Sequence, residues 1–258
     1  VTWGFDKKAG QIDYLWGPWT SNGENGNSNV LESGVSKVCT ISDGYFAAIK
    51  TDGSVVVWGW GTPGVWLQEE DPDVIRFVEI SDQLSSGVVN IFSTGRAAAA
   101  LKSDGSVVTW GEKITGGDSN SVISQISSDV INISANAYSF AALKSDGSVI
   151  TWGENERGGD SSLVSDDLSS GVQKIYGSRD TFAALKDDGS VISWGQYQSI
   201  SDLGSMTTSW ESVKDQLSND VIDVVHNGQS DAWAALKSDG SIVTWGRNDY
   251  GGDSTKVM

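Results

Sequence analysis

The sequence predicts an all-β fold, a β-propeller of short antiparallel blades with five full repeat units plus an N-terminal closing strand. Three observations carry this expectation. A phrase of the type ALKSDGSVITWG recurs five times, a looser valine phrase precedes each copy, and Trp-Gly pairs close the units. The composition agrees, with 31 Gly, 3 Pro and 12 Trp in 258 residues.

The Trp-Gly pairs stand at Trp3-Gly4, Trp58-Gly59, Trp110-Gly111, Trp152-Gly153, Trp194-Gly195 and Trp245-Gly246, at intervals of 55, 52, 42, 42 and 51 residues. The basic period is therefore 42 residues with insertions. The valine phrases are SGVSKV at Ser33, SGVVNI at Ser86, SDVINI at Ser128, SGVQKI at Ser170 and NDVIDV at Asn219. Each unit thus reads as a strand, a loop and a hairpin.

Asp-Gly at the hairpin tip, as at Asp146-Gly147, predicts a two-residue type I′ turn with positive φ at both positions. Pairing outward sets Leu143 opposite Ile150 and Ala141 opposite Trp152. One face then carries Ala141, Leu143, Ile150 and Trp152, and the other Phe140, Ala142, Val149 and Thr151. Both faces are apolar or small and need cover, which predicts blades stacked on their neighbours. A solenoid of hairpins is the alternative, because a period alone does not establish ring closure.

The chain is expected to be a single repeat domain over 1–258, with units near 34–85, 86–127, 128–169, 170–218 and 219–258 and a partial unit with linker at 1–33. The linkers 60–85 and 196–218 are long, whereas 112–127 and 154–169 are short. Insertions on one connection of a repeat map to one rim, often the binding rim.

WGENERGGDS at Trp152 and WGRNDYGGDS at Trp245, together with the valine strand and the ALKSDGS hairpin, resemble the regulator-of-chromosome-condensation type repeat. The resemblance runs through nearly all of the chain and is nearest to the β-lactamase-inhibitory protein II branch. It implies a propeller of three- to four-stranded blades. The glycine-glutamine-leucine-glycine turn of the eukaryotic repeat is replaced here by GGDS at Gly116, Gly158 and Gly251, so chromatin binding and nucleotide exchange are not implied. Propellers of the family normally have seven blades, and five full units are countable here. Three arrangements would accommodate Val1-Thr2-Trp3-Gly4: a five-bladed ring with an extra edge strand, a segment of a longer array, or a strand donated between molecules. The segment reading is the expected one.

Seventeen Lys and Arg against 34 Asp and Glu give a net charge of −17. That balance opposes nucleic-acid binding, which depends on basic side chains neutralising phosphates, and it disfavours anionic membrane surfaces. No apolar run approaches the roughly 20 residues needed to span a bilayer, so membrane insertion is not expected. Cys39 and His226 are each the sole residue of their type, which excludes an intramolecular disulfide and the usual cysteine or histidine metal sites. The acidic composition with one cysteine suits a secreted or cell-surface bacterial protein, and an acidic cytoplasmic one stays open.

The recurrent Asp52, Asp104, Asp146, Asp188 and Asp239 are read as turn residues rather than calcium ligands, since no alternating loop closed by Glu follows them. Lys50, Lys102, Lys144, Lys186 and Lys237 are read as stems packed over the sheet. The closing tryptophans are read as packing between blades. His226 is read as a surface residue, and no cofactor, metal or catalytic residue is expected.

Aromatic residues outside the repeat are better binding candidates: Trp16, Trp19, Trp60, Trp66, Tyr197 and Trp210 lie in linkers, either exposed for recognition or folded back as plugs. The resemblance implies a second set, in the loop between the first strand and the hairpin, where it places a partner face. Those loops carry Tyr45, Arg96, Tyr138, Asp180 and Asp231. The expected function is a non-catalytic propeller that binds a protein through one loop-rich face. A structural or adhesive array joined by strand exchange, with self-association through the N-terminal strand, is one alternative. A carbohydrate-binding propeller with a glycan ligand is another.

Overall fold

Each repeated phrase folds as a three-stranded antiparallel meander, because its three apolar stretches are short and separated by turn residues. A computed structural model describes residues 19–20, 31–41, 45–59, 73–75, 77–195, 207–228 and 230–255. Besides β1 (Trp19–Thr20), it gives β2 (Val35–Thr40), β3 (Tyr45–Lys50) and β4 (Val55–Gly59) as blade 1. After β5 (Val74–Ile75), blade 2 holds β6 (Val88–Ser93), β7 (Ala97–Lys102) and β8 (Val107–Glu112). Blade 3 holds β9 (Val130–Ala135), β10 (Ser139–Lys144) and β11 (Val149–Gly153). Blade 4 holds β12 (Val172–Gly177), β13 (Phe182–Lys186) and β14 (Val191–Trp194). Following β15 (Thr207–Thr208), blade 5 holds β16 (Val221–His226), β17 (Ala232–Lys237) and β18 (Ile242–Arg247). The fold is all-β, with five antiparallel sheets built as propeller blades.

Three sheets gain a fourth strand from the linker in front of them: β1 joins β4, β5 joins β8 and β15 joins β18. The strand within each long linker therefore completes the blade that follows it. The N-terminal closing strand expected at Val1 to Gly4 lies outside the described residues.

The hairpin register differs by one residue from the sequence expectation. Phe140 faces Trp152, Ala141 faces Thr151 and Leu143 faces Val149. The Lys144 N–H donates to the Ser148 carbonyl at 2.9 Å, and the Gly147 N–H donates to the Lys144 carbonyl at 3.0 Å. Gly147 has φ of 80°, whereas Asp146 stays at negative φ. This is a three-residue loop, a type I turn followed by a glycine bulge, and not the two-residue turn expected. Asp146 stabilises it because its Oδ1 accepts from the Ser148 N–H at 2.9 Å and from the Ser148 hydroxyl at 2.6 Å. The same pair of bonds recurs at Asp52, Asp104, Asp188 and Asp239.

Since side chains alternate along a strand, a slip of one residue reassigns the faces. Ala141, Leu143, Val149 and Thr151 share the trailing face, turned toward the following blade. Phe140, Ala142, Ile150 and Trp152 share the opposite, leading face. Phe140 and Trp152 stack at 5.2 Å between ring centroids, as do Phe182 and Trp194.

A bulge also recurs in the first strand: the register shifts after Val35, Val88, Val172 and Val221. The bulge leaves the valine N–H turned away from its own ladder. Val172 spends it on the Gly147 carbonyl of blade 3, at 3.0 Å. The backbone before this valine is left-handed, at Gly34, Gly87 and Gly171 and also at Asp129 (φ 65°) and Asp220 (φ 62°). Aspartate tolerates that region better than most side chains, which explains why the SGV phrase becomes SDV or NDV.

The chain divides into two compact units, Val1–Val130 and Ile131–Met258. In the first, Ile49, Val55 and Val57 of blade 1 meet Val88, Ile91, Ala98, Ala100, Val108 and Trp110 of blade 2, with Phe77, Ile80 and Leu84 wedged beside them. In the second, Leu143 and Val149 of blade 3 pack on Val172, Ile175, Phe182 and Trp194 of blade 4, around Leu168. Leu185 and Val191 of blade 4 pack on Val221, Val224, Trp233 and Trp245 of blade 5, around Val213 and Leu217. Each fully buried aliphatic side chain contributes about 1.5–3 kcal/mol. Because one blade cannot bury either face alone, stacking supplies most of the stability.

The hairpin lysines tie the linkers down. Lys50 donates to the Ser33 carbonyl at 2.7 Å, Lys102 to Gln83 at 2.9 Å and Lys237 to Gln216 at 2.9 Å. They act as caps for backbone carbonyls as well as packing stems.

A candidate protein-binding rim

Within Ile131–Met258, three loops between first strand and hairpin, 136–138, 178–181 and 227–231, lie beside the turns that follow β11 and β18. A polar side chain at the start of the loop shapes it in blade 3. Asn136 Oδ1 accepts from the Tyr138 and Ser139 N–H groups, both at 2.8 Å, replacing the bonds a strand would supply. Its amide donates to the Arg157 carbonyl at 2.6 Å, and the Ser139 hydroxyl donates to the same oxygen at 2.7 Å. The turn after β11 is thereby fixed against the loop.

That bonding aims the Arg157 side chain along the rim. Its guanidinium sits 3.9 Å from the centroid of the Tyr138 ring, pairs with Asp180 Oδ1 at 2.5 Å and approaches Glu154 Oε2 at 3.4 Å. A guanidinium over a tyrosine face combines cation–π attraction with planar stacking. Asp180 is buried at 1% exposure, and its Oδ2 has no hydrogen bond among the described residues, lying 3.9 Å from Arg179 Nε. Burial pushes its carboxyl up from the ordinary range, the Asp231 charge adds to this, and the Arg157 pair opposes both.

Asp231 carries the rim into blade 5. Its Oδ1 accepts from the Asp180 N–H at 2.8 Å and from the Thr181 hydroxyl at 3.0 Å, and that hydroxyl accepts from Trp233 Nε1 at 3.1 Å. The Asp231 carbonyl accepts from the Arg247 N–H at 3.2 Å. Arg247 then lies over the Tyr250 ring at 4.5 Å and pairs with Asp249 at 3.0 Å. Asn227 Nδ2 donates to the Tyr250 carbonyl at 3.4 Å. The His226 ring meets Trp233 at 5.1 Å, and burial lowers its basicity against the opposing pull of Asp231.

The structure thus brings together Tyr138, Asp180 and Asp231 from the sequence candidates. Tyr138 lies half-exposed on the rim, whereas Asp180 and Asp231 are buried organisers beneath it. Arg96 occupies the matching loop of blade 2, pairs with Glu112 at 3.0 Å and keeps its side chain 60% exposed. Tyr45 is buried in the core of the first compact unit. Trp210 packs half-buried against two core clusters, and its Nε1 donates to the Val191 carbonyl at 3.3 Å. It is a plug between blades 4 and 5. Trp60 and Trp66 lie outside the described residues, as do Trp16 and Tyr197.

The sequence reading passed over Arg157, Arg179, Arg247 and Tyr250. A signal for them was available: the chain has five arginines among its 17 basic residues, and these three stand in or beside variable loops. Arginine in such places offers planar, multidentate recognition that the recurrent lysines do not.

Comparison with known proteins adds a family signal over one blade. Residues 130–158 match the regulator of chromosome condensation (RCC1) repeat, a span that runs from β9 to the turn holding Arg157. Comparison with curated protein sequences finds no match. Among solved structures, human WBSCR16 is similar at 17% identity and a TM-score of 0.49, over 84% of this chain and 63% of that one. Yeast RCC1 (Prp20), solved bound to Kap60, gives 18% and 0.48, over 83% of this chain and 56% of that one. The CRINKLY WD40 ectodomain of the Arabidopsis thaliana receptor kinase ACR4 gives 18% and 0.46, over 82% and 65%. The chain spans less than two thirds of the length of each. Its third blade is similar in sequence to an RCC1 repeat, and the same strand-and-hairpin plan is built five times.

Proposed function

We propose that this chain is a non-catalytic interaction domain that binds a protein partner through the rim formed by Tyr138, Arg157, Arg179, Arg247 and Tyr250. The observation that carries this reading is the pairing of arginine with tyrosine at the surface of a chain whose net charge is −17. Tyrosine and arginine lose little conformational freedom for the contact they make, and they dominate binding hot spots. Buried Asp180 and Asp231 hold the loops rigid beneath them, so the rim is organised before a partner arrives. Guanidinium groups in an acidic surround favour a partner that presents carboxylates. The resemblance to the repeat family implies a partner face on the loops between first strand and hairpin, which carry Tyr138 and Arg179 of this rim.

The test compares the wild-type chain with Arg179→Glu, Tyr250→Ala and a control, Leu163→Ser, at a fully exposed position away from the rim. Proteins retained on the immobilised chain from extracts of the source organism are identified by mass spectrometry. The wild type and the control are expected to retain a common protein that both rim variants lose by tenfold or more. Equal retention by all four chains would sink the reading. A response of tryptophan fluorescence to added glycans, lost in the same rim variants, would transfer the rim to the carbohydrate alternative.

A further inference from the structure

Two asparagines do the same work in this fold, and their surroundings leave one of them open to chemistry. In blade 3 the Asn136 amide donates to the Arg157 carbonyl at 2.6 Å, which fixes the turn after β11. In blade 5 the Asn227 amide donates to the Tyr250 carbonyl at 3.4 Å, which ties the turn after β18 in the same way. Thr94 makes a third copy of the bond, from its hydroxyl to the Thr115 carbonyl at 3.2 Å.

Asn136 is held on every side. It is 5% exposed, and its Oδ1 accepts from the Tyr138 N–H, the Ser139 N–H and the Ser139 hydroxyl at 2.8, 2.8 and 3.1 Å. The next residue is Ala137, whose N–H is spent on the Arg179 carbonyl at 3.0 Å. Asn227 differs at each point. It is exposed, and among the described residues nothing donates to its Oδ1. The next residue is Gly228, exposed as well, and among the described residues nothing accepts its N–H. A Cβ at Gly228 would meet nothing within 4 Å, so no packing confines it. Glycine also leaves this peptide free to turn its nitrogen toward the preceding side chain. Asn227-Gly228 is the one Asn-Gly pair among the described residues.

We propose that Asn227 is a deamidation site whose conversion to aspartate or isoaspartate releases the Tyr250 turn. The Gly228 nitrogen, losing its proton to a base in the solvent, attacks Asn227 Cγ. A C–N bond forms, the side-chain nitrogen takes up a proton and leaves as ammonia, and a succinimide ring joins the two residues. Water then adds to one of the two ring carbonyls. Opening on one side gives aspartate, and opening on the other gives isoaspartate, whose main chain runs through the former side-chain carbon. One water is consumed and one ammonia released, with no oxidation or reduction. The product carboxylate has lost the amide's donors and can only accept, so it meets the Tyr250 carbonyl as acceptor against acceptor. The turn that presents Arg247 and Tyr250 loses its tie, while the equivalent turn on Asn136 keeps its own.

The test incubates the folded whole chain at mildly alkaline pH, where the attacking nitrogen loses its proton more readily, and maps its peptides by mass spectrometry against an unincubated sample. Conversion at Asn227 is expected to exceed that at Asn136 by at least tenfold, with isoaspartate present beside aspartate. Gly228→Ala should fold as the wild type does, since its Cβ meets nothing and its φ is not left-handed, and should slow conversion at least fivefold. Amide hydrogen exchange in Asn227→Asp should be at least threefold faster than in the wild type over 247–252 and unchanged over 153–159. That readout belongs to the turn itself, so it does not depend on what the rim binds. Equal conversion at Asn227 and Asn136 overturns the proposal, as does a rate indifferent to Gly228→Ala or an unchanged exchange over 247–252 in Asn227→Asp.

Discussion

Glycine at the hairpin tip serves two purposes, and the five copies separate them. Gly147 needs positive φ for its turn and also lies against blade 4, where a Cβ would stand 2.7 Å from the Gly171 nitrogen; Gly240 needs only the φ. Gly240→Ala should therefore cost about 1–2 kcal/mol, the penalty of left-handed backbone for an L-residue. Gly147→Ala should cost more, since the backbone it meets cannot turn aside, and paired denaturation curves would show whether it does. The carboxylates offer a second comparison. Ser hydroxyl and then backbone N–H bonds hold Asp104, Asp146, Asp188 and Asp239 below the ordinary aspartate range, whereas burial raises Asp180. Stabilisation from the turn aspartates is present above their unfolded pKa and is lost as pH falls through the lowered folded value. Asp180 has the opposite sign: its contribution is present below the unfolded value and is lost as pH rises through the raised folded one. Carbon-detected NMR titration should find the four turn aspartates titrating below Asp180; coincident midpoints would contradict the geometry.

At the scale of elements, the linkers do more than connect. Those before blades 1, 2 and 5 each add a two-residue strand to the sheet that follows, and those before blades 2 to 5 push an apolar side chain, Leu84, Ile126, Leu168 or Leu217, to 1% exposure or less. The carbonyls of Ile126, Leu168 and Leu217 accept the N–H of Val107, Val149 and Val191 at 2.8–3.0 Å, so each wedge is locked to the blade before it. Trp210 extends this wedge between blades 4 and 5. Trp210→Ala should lower stability by about 2 kcal/mol, below the range for a fully buried tryptophan because the ring is only half-buried. Partner retention should be unchanged when measured well below the melting temperature. Loss of retention without loss of stability would return Trp210 to the binding residues. The hairpins show how a small local difference propagates: a loop of three residues instead of two moved Leu143 from opposite Ile150 to opposite Val149 and exchanged one strand's partners on both faces.

For the whole molecule, the turn-to-strand bond repeats from Val88 to Gly53, Val130 to Gly105, Val172 to Gly147 and Val221 to Gly189, so stability is a sum over repeated contacts. Strand number, hairpin positions, the turn role of the recurrent aspartates and the acidic surface were legible in the sequence, since alternation and turn chemistry act over about ten residues. Tyr138 was a candidate through the loop that the family resemblance pointed to, and it lies half-exposed there. Tyr45 and Trp210 look the same in sequence, and their burial follows from packing against chain some 30 or more residues distant, as with Tyr45 and Phe77 in one cluster or Trp210 and Val164 in another. Arg157, Arg179 and Arg247 meet a common rim only because successive blades set their loops side by side. Local chemistry along the chain thus specified the blade. Its register, and which side chains stay exposed, were settled by contacts between blades, whose energy is realised only when residues about one repeat apart come into van der Waals range.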